Sequence, residues 1–290
     1  MLNANTANSF SKSYSYKLLI TPNIANDKVS RLFISCTLFL LGTLVLFFII
    51  NAFDTRLLDG MPVWHKPIRF GLSFSLHFIT LTLLSQLIAD HYRTKYRFAF
   101  FAYVAAISLW VEYGYMAIQA SRARRSHFNF ETEFESLMYA VMGVGALFLV
   151  AVTFVLGIMI WRYADKNPSG LRIGAIMGLV LGSVLTLITA GYMSSNVSYI
   201  EHRLTNTPNI APYLGWSRVS GDYKPAHFIA THMMQLLPLI GWWADSTKWG
   251  QRLSQKIGAR TIVIIATLLL TILTAVLFTL AINDVPLFPL

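Results

Sequence analysis

Histidines that could hold a cofactor fall on one side of the predicted membrane-spanning segments. Neutral imidazole binds haem iron and transition metals, and helix bundles build such sites from facing side chains. The cofactor, b-type haem or a transition metal, would be held by His77, His227 and His232. Alternatively, His227 and His232 could join Glu112 in a metal site. The histidines predicted on this side, six of the seven in the chain, are His65, His77, His127, His202, His227 and His232.

Other polar residues are predicted close to these histidines. Glu112, Gln119 and Arg122 share one stripe of a helix because their spacing follows the helical repeat. Arg69 falls in the first turn of another helix, where a cation opposes the helix dipole and an anion nearby would stabilise it. The catalytic candidates are Glu112, Gln119, Arg122 and Asp222. The candidates for binding an anion or substrate are Arg69, His127 and Gln235.

Three functions are compatible with this pattern. The leading prediction is a haem- or metal-dependent redox site, open to the outside, that handles a membrane-soluble or extracytoplasmic small molecule; an enzyme of this kind would be a membrane-bound oxidoreductase. The second is a proton-coupled transporter of small solutes, although the chain shows neither an internal repeat nor a matching pair of broken helices. The third is a non-catalytic structural or assembly protein whose buried histidines are hydrogen-bonded.

The composition predicts an all-α membrane protein. The chain is 55% hydrophobic and only 12% charged, whereas soluble domains carry roughly a quarter charged residues. Seven stretches are long enough to cross a bilayer core of about 30 Å as helices, which satisfy their own backbone hydrogen bonds. The predicted spans of this seven-helix bundle are Arg31–Phe53, Pro67–Ala89, Phe98–Ala120, Ser136–Trp161, Leu171–Met193, Pro225–Trp243 and Thr261–Ile282.

The distribution of Lys and Arg predicts the orientation, because basic loops stay on the cytoplasmic side. One set of loops carries fourteen basic and four acidic residues, and the other carries nine basic and eight acidic residues. The N-terminus is therefore predicted to be cytoplasmic and the C-terminus outside. With this orientation, His77, Glu112 and His232 lie in one layer, roughly 10 to 15 Å below the outer boundary.

The same features predict the domain organisation and exclude several functions. Residues 1–30 form a cytoplasmic tail, partly disordered; residues 31–283 form the membrane domain, and residues 284–290 a short outer tail. The net charge of +10 is a topology signal, so we predict no nucleic-acid partner. A nucleotide partner is also unexpected because the chain has no glycine-rich phosphate loop. His227 and His232 are five residues apart and not in the H-E-x-x-H pattern, which disfavours zinc hydrolysis.

Three outer segments and one helix segment resemble a known family. The segments are Trp64-His65-Lys66-Pro67-Ile68-Arg69-Phe70, Arg122-Ala123-Arg124-Arg125-Ser126-His127-Phe128-Asn129, Gly221-Asp222-Tyr223-Lys224-Pro225-Ala226-His227-Phe228 and Gln235-Leu236-Leu237-Pro238. Together they resemble the signature of an uncharacterised family of bacterial multi-span membrane proteins. The resemblance implies a bacterial inner-membrane location and no activity.

Overall fold

The protein is described by a computed structural model over residues 27–166, 169–196, 211 and 214–288. Most of the N-terminal tail that was predicted to be partly disordered lies outside these residues, and so does His202. Within the described ranges the chain is almost entirely helical, which confirms the predicted all-α class. The helices are α1 (Lys28–Phe53), α2 (His65–Ser85), α3 (Asp90–Arg93), α4 (Tyr96–Ser121), α5 (Glu133–Tyr163), α6 (Ser169–Ser195), α7 (Tyr223–Ser246), α8 (Lys248–Ile257) and α9 (Ala259–Ile282).

Each of the seven predicted spans coincides with one of these helices. Six of them, namely α1, α2, α4, α5, α6 and α9, are long and apolar enough to cross a membrane, which indicates a multi-pass membrane protein. The predicted sixth span forms α7, which is 24 residues long but is not among the six. The number of spans and the sides of the two termini therefore stay predictions.

The polar residues of α7 explain why it is not among the six helices that are apolar enough to cross a membrane. His227, Thr231 and His232 lie in its first half, and Gln235 lies at its middle. Gln235 is 5% exposed, and Thr231 and the two histidines are partly buried. Polar residues on this helix are covered by neighbouring helices, so the helix does not need a uniformly apolar surface.

Helix α2 is shorter than predicted. It ends at Ser85 and not at Ala89, because the next three backbone N–H groups close tight turns onto the carbonyls three residues earlier. Ile88 then pairs with Ala164 in an isolated β-bridge between two loops. The chain therefore turns toward α3 and α4 before the predicted end of the span.

Successive long helices alternate in direction and define two ends of the bundle. We call one of them the polar end; it contains the C-terminus of α4, the loop 122–132 and the N-termini of α2, α5 and α7. A short antiparallel hairpin, β1 (Leu57–Leu58) with β2 (Met61–Pro62), also lies at this end. Asp59 and Gly60 turn this hairpin with φ values of 51° and 75°, which are typical of a type I′ turn.

Side chains cap the helices that begin at each end. Thr132 accepts a hydrogen bond from the backbone N–H of Glu135 at the start of α5. Asp27 accepts bonds from the backbone N–H groups of Val29 and Ser30 at the start of α1. These caps satisfy N–H groups that have no partner inside the helix, and each contributes about 1 kcal/mol.

The long helices pack in two groups joined by α5. Helices α1, α2 and α4 form the first group, and α6, α7 and α9 form the second. Helix α5 contacts both α4 and α6, and α2 also contacts α5 and α7. The candidate residues on α2, α4 and α7 are therefore positioned by both groups.

Glycines bring α6 and α7 into close contact, as the regular spacing of the α6 glycines predicts. A Cβ atom added at Gly174 would lie 2.2 Å from the carbonyl oxygen of Leu237. One added at Gly178 would lie 2.6 Å from the carbonyl oxygen of Met233. The backbone of α7 therefore occupies the space that larger side chains on α6 would fill. This packing fixes the rotation of α7 and the direction of its histidines.

Candidate functional site

Gln119 is the centre of a hydrogen-bond network at the polar end. It is fully buried, and its Nε2 lies 3.0 Å from the Tyr115 hydroxyl oxygen and 3.0 Å from Oε1 of Glu135. Its Oε1 accepts a hydrogen bond of 3.0 Å from Nη1 of Arg122. Both ends of the amide are thus used within the protein, and the bonds tie the end of α4 to the start of α5. For Gln119 this favours a structural role over the predicted catalytic one.

Arg124 and Glu135 form a two-pronged ion pair beside this network. Nε and Nη2 of Arg124 each lie 2.6 Å from a different carboxylate oxygen of Glu135. Arg124 also binds Glu131 at 2.6 Å, and Glu135 is 2% exposed. Paired bonds of this geometry are among the strongest in proteins, so they hold the loop 122–132 in place.

Lys66 and His127 form the most unusual contact of the polar end. Nζ of Lys66 lies 3.0 Å from Nδ1 of His127, and Ser126 Oγ lies 3.1 Å from the same ring nitrogen. Burial and, second, the positive charge of Lys66 hold the pKa of His127 well below its usual value. The imidazole is therefore neutral, and Nδ1 accepts the hydrogen bond from the ammonium group.

Lys66 differs from Arg125 and Lys224, which pair with Asp59 and Asp222. Among the residues that the structure describes, no carboxylate lies within ion-pair distance of its Nζ. Other cations surround it within electrostatic range: Arg69, Lys224 and Arg125. We call these four residues the cation cluster. Asp59, an acidic group that also lies within that range, already binds Arg125 through two bonds of 2.6 and 2.9 Å.

Arg69 connects α2 to the segment that precedes α7. Its Nη1 donates a hydrogen bond to the carbonyl oxygen of Leu214, and its Nε donates to that of His65 at 3.4 Å. The next residue, Gly215, has a φ of 65° and accepts a hydrogen bond of 2.5 Å from Nζ of Lys224. Two members of the cation cluster therefore bind neighbouring carbonyls of the same loop.

Asp222 is a helix cap and not a free acid. One carboxylate oxygen accepts a bond of 2.9 Å from the backbone N–H of Lys224, and the other accepts a bond of 2.9 Å from that of Ser217. The ammonium group of Lys224 lies 3.1 Å from the same carboxylate. These contacts order the N-terminus of α7, and they favour a structural role over the predicted catalytic role of Asp222.

The three predicted cofactor histidines are each hydrogen-bonded to a neutral side chain. The contacts are His77 Nε2 with Thr153 Oγ1 at 3.3 Å, His227 Nδ1 with Thr189 Oγ1 at 3.0 Å, and His232 Nδ1 with Gln235 Oε1 at 3.2 Å. His232 also lies within electrostatic range of both His77 and His227. The histidines of α2 and α7 therefore share one region, whereas the sequence predicted only a common depth for His77 and His232.

The partner of His227 has one hydroxyl proton and more than one acceptor. Thr189 Oγ1 lies 2.9 Å from the carbonyl oxygen of Leu185, 3.1 Å from that of Thr186 and 3.0 Å from Nδ1 of His227. The contact therefore orients the ring in either tautomer of the imidazole.

Glu112 faces α5 and does not join the histidines in a metal site. It is 3% exposed, and a Cβ atom added at Gly145 would lie 2.8 Å from its Oε1. That oxygen has no hydrogen-bond partner within the described part of the chain. The same residues contain no group of three or more His, Cys, Asp and Glu side chains that could hold a metal ion. The predicted set of His227, His232 and Glu112 is therefore not assembled.

Sequence reasoning missed Lys66, Thr153 and Thr189. Lys66 lies in a segment quoted above for its resemblance to a family, but a single Lys at a helix start is commonly solvated. Threonines on apolar helices usually bond to the carbonyl four residues earlier, so their sequence gives no sign of a histidine partner.

Comparisons with known proteins found no match. No family model matches the chain, and no curated protein or solved structure is similar to it. The resemblance to a bacterial membrane-protein family therefore stays a prediction, and the functional argument depends on the residues themselves.

Proposed function

We propose that this chain is a seven-span protein of the bacterial inner membrane that binds a small carboxylate- or phosphate-bearing solute at its polar end, outside the cytoplasm. The observation that carries the proposal is the cation cluster around Lys66: among the described residues, its four cations are accompanied by two carboxylates, Asp59 and Asp222. Burial and neighbouring like charges make the charged form of Lys66 costly, and an anion bound beside it would stabilise that form, so the cluster favours an anionic ligand.

Three elements of the fold support an anion at this position. The N-termini of α2, α5 and α7 all lie at the polar end, and each contributes a partial positive charge. Lys66 and Arg69 extend from α2, and Lys224 extends from the first turn of α7. Backbone dipoles and cationic side chains thus both attract an anion at this position.

The neutral imidazole of His127 holds the Lys66 ammonium group without neutralising it. A carboxylate in the place of His127 would pair with Lys66 and cancel its charge. Aromatic rings complete the surroundings, with Phe70 5.8 Å from Nζ of Lys66 and Tyr139 6.3 Å from His127. An electrostatic attraction of this kind is stronger where water is partly excluded.

Titration of the purified protein with inorganic phosphate and with succinate tests the proposal. Binding is followed by intrinsic tryptophan fluorescence at constant ionic strength, with chloride as the competing anion. We expect K66Q to weaken binding of one of these probes by about tenfold or more, because a charged hydrogen bond contributes roughly 1.5 to 3 kcal/mol. K28Q, at an exposed position on the opposite end, serves as the control and should bind normally. Binding of neither probe, or equal binding by K66Q, contradicts the proposal.

A second candidate function, proton-coupled transport of the bound anion, is favoured by Glu112. Oε1 of Glu112 is buried and has no hydrogen-bond partner among the described residues, and ionisable groups inside a membrane commonly serve proton relays. Glu112 lies on α4, and its position against α5 places it at the helix that joins the two groups of the bundle. Uptake and release of a proton there would change the packing of α4 on α5.

Proteoliposomes separate binding from transport. We expect a pH gradient to drive uptake of the anion that binds, and E112Q to abolish the uptake while keeping the binding affinity. E133Q removes an exposed acid at the start of α5 and is the matched control. Binding without uptake in the wild-type protein would leave anion binding as the function and reject transport.

The redox prediction has less support and a direct test. His77, His227 and His232 share one region, but Glu112 faces another helix interface. An absorbance spectrum with elemental analysis of the purified protein tests whether haem or metal is bound. A Soret band, or stoichiometric metal, that disappears in H77A or H232A would support a redox site there; a colourless, metal-free protein after cofactor-supplemented expression would reject it.

A further inference from the structure

Helix α8 is a short helix at the opposite end of the bundle from the cation cluster. Thr247 caps its start by accepting a bond of 3.0 Å from the backbone N–H of Gly250. Gly258 ends it with a φ of 85°, and α9 begins at the next residue. Because α9 is long and apolar enough to cross a membrane, α8 lies beside the start of a span.

One face of α8 packs against the end of α7. A Cβ atom added at Gly250 would lie 2.0 Å from the carbonyl oxygen of Trp243, so the two helices are in backbone contact. Ser254 donates a hydrogen bond of 2.9 Å to the carbonyl oxygen of Ala244. Gln251 donates one of 2.8 Å to that of Asp245. These contacts fix the rotation of α8 about its axis.

The fixed rotation leaves two different stripes uncovered, each with a spacing of four residues. The apolar stripe consists of Trp249, Leu253 and Ile257, which are 73%, 38% and 44% exposed. The basic stripe consists of Lys248, Arg252 and Lys256, all of which are exposed. At 100° per residue, the apolar stripe lies between the packed face and the basic stripe. An acidic residue is absent from α8.

We propose that α8 lies flat in the membrane interface and binds anionic lipid headgroups. An apolar stripe beside the packed face would enter the acyl region next to α7 and α9, and the basic stripe would then meet the lipid phosphates. The guanidinium group of Arg252 lies 5.3 Å from the ring of Trp249, so the aromatic and basic groups border each other as at a membrane surface. The occupant is the lipid surface, because the basic stripe matches its charge and the adjoining span fixes its depth.

A fluorescent bimane label on α8 tests both the depth and the headgroup preference. The chain has one cysteine, Cys36, so C36A provides a background for L253C and Q255C. Leu253 lies on the apolar stripe, whereas Gln255 lies on the far side of the basic stripe. Lipids that carry a nitroxide on the acyl chain should quench the label at L253C and spare that at Q255C.

Headgroup preference is measured by comparing nitroxide-labelled phosphatidylglycerol with nitroxide-labelled phosphatidylcholine. We expect the label at L253C to show a preference for phosphatidylglycerol of about fivefold or more, because each basic residue near an anionic surface attracts it. The triple variant K248Q/R252Q/K256Q should lose that preference and keep the depth of Leu253. K95Q/R97Q, with two exposed bases at the same end of the bundle, is the matched control and should keep both.

Two results would overturn the proposal. Equal quenching at L253C and Q255C would show that α8 does not lie in the interface. Equal quenching of the label at L253C by the two nitroxide-labelled lipids, with the basic stripe intact, would show that α8 has no headgroup preference. Neither result bears on the cation cluster, because α8 lies at the other end of the bundle.

Discussion

The two ends of the bundle hold a cation in opposite ways. At the opposite end, Arg93 is 1% exposed and its Nε lies 2.8 Å from Oδ2 of Asp27. Its Nη1 also donates to the carbonyl oxygens of Ser85 and Ile88 at 3.2 and 3.0 Å. At the polar end, Lys66 meets a neutral histidine and other cations. An internally satisfied cation stabilises the fold, whereas a cation without a carboxylate is available to an external anion.

The carboxylate that faces Arg93 is also fully engaged. Asp27 accepts bonds from the backbone N–H groups of Val29 and Ser30 and a bond of 2.5 Å from the Ser30 hydroxyl. Burial alone would raise the pKa of Asp27, but the Ser30 bonds and the charge of Arg93 outweigh it and hold the pKa below its usual value. This pair joins the start of α1 to α3 and therefore fixes the first group of helices.

The largest effect on stability is expected from breaking the ion pair between Arg93 and Asp27. R93M should lower the free energy of unfolding by about 3 to 5 kcal/mol, because it leaves the buried carboxylate of Asp27 without a cation. Thermal and denaturant unfolding of the purified protein measures the change. R97M replaces an exposed arginine at the same end and should change the free energy of unfolding by less than about 0.5 kcal/mol. A similar value for both variants would mean that the Asp27 pair does not stabilise the fold.

A smaller effect on stability is expected when the pH is lowered, and it should come from His127 at the polar end. The pKa of His127 is lower in the folded protein than in the unfolded chain. As the pH falls through about 6.5, the unfolded chain therefore binds a proton that the folded protein does not, and stability decreases. Asp27 stays ionised in both states in this range, because its pKa is lower still in the fold.

Melting curves from about pH 7.5 to about pH 5.5 measure this difference. We expect the wild-type protein to lose about 1 kcal/mol more than H127Q over this range, because one unit of pKa difference corresponds to about 1.4 kcal/mol. The comparison with H127Q removes the contribution of the other histidines. Parallel curves for the two proteins would be inconsistent with a buried neutral His127.

The smallest effect on stability is expected from Lys66 itself. K66Q removes a cation that has no carboxylate partner and lies among like charges, so the free energy of unfolding should change by less than about 1 kcal/mol. The same variant should lose the binding of phosphate or succinate. Unfolding and fluorescence titration on one preparation measure both properties. A loss of stability as large as that of R93M would show that Lys66 has a structural role.

The helices could be predicted from the sequence because their signal is local. An apolar stretch of about 20 residues predicts a membrane helix wherever it occurs, and the seven predicted spans all coincide with helices. Helix α8 was missed because its apolar residues recur only every fourth position over ten residues. Hydropathy alone also cannot decide whether α7 crosses the membrane, because its polar residues are covered by other helices.

The candidate site was only partly predictable because its contacts join distant residues. Arg93 pairs with Asp27 across 66 positions, and Lys66 meets His127 across 61 positions. No spacing in the chain marks such pairs. Glu112 is buried and the histidines of α2 and α7 are partly buried, but their lateral separation depends on helix rotation, which packing against residues such as Gly145 determines.

The close fit of α6 and α7 has a consequence for biosynthesis. A helix as polar as α7 has little tendency to leave the translocation channel for lipid by itself. The glycines of α6 offer its backbone a preformed surface, and α9 covers another side once it has been made. In the seven-span topology proposed above, α7 would enter the bilayer together with α6 as a helical hairpin, so leucine at Gly174 or Gly178 would impair insertion of newly made chains before it affects any mature protein.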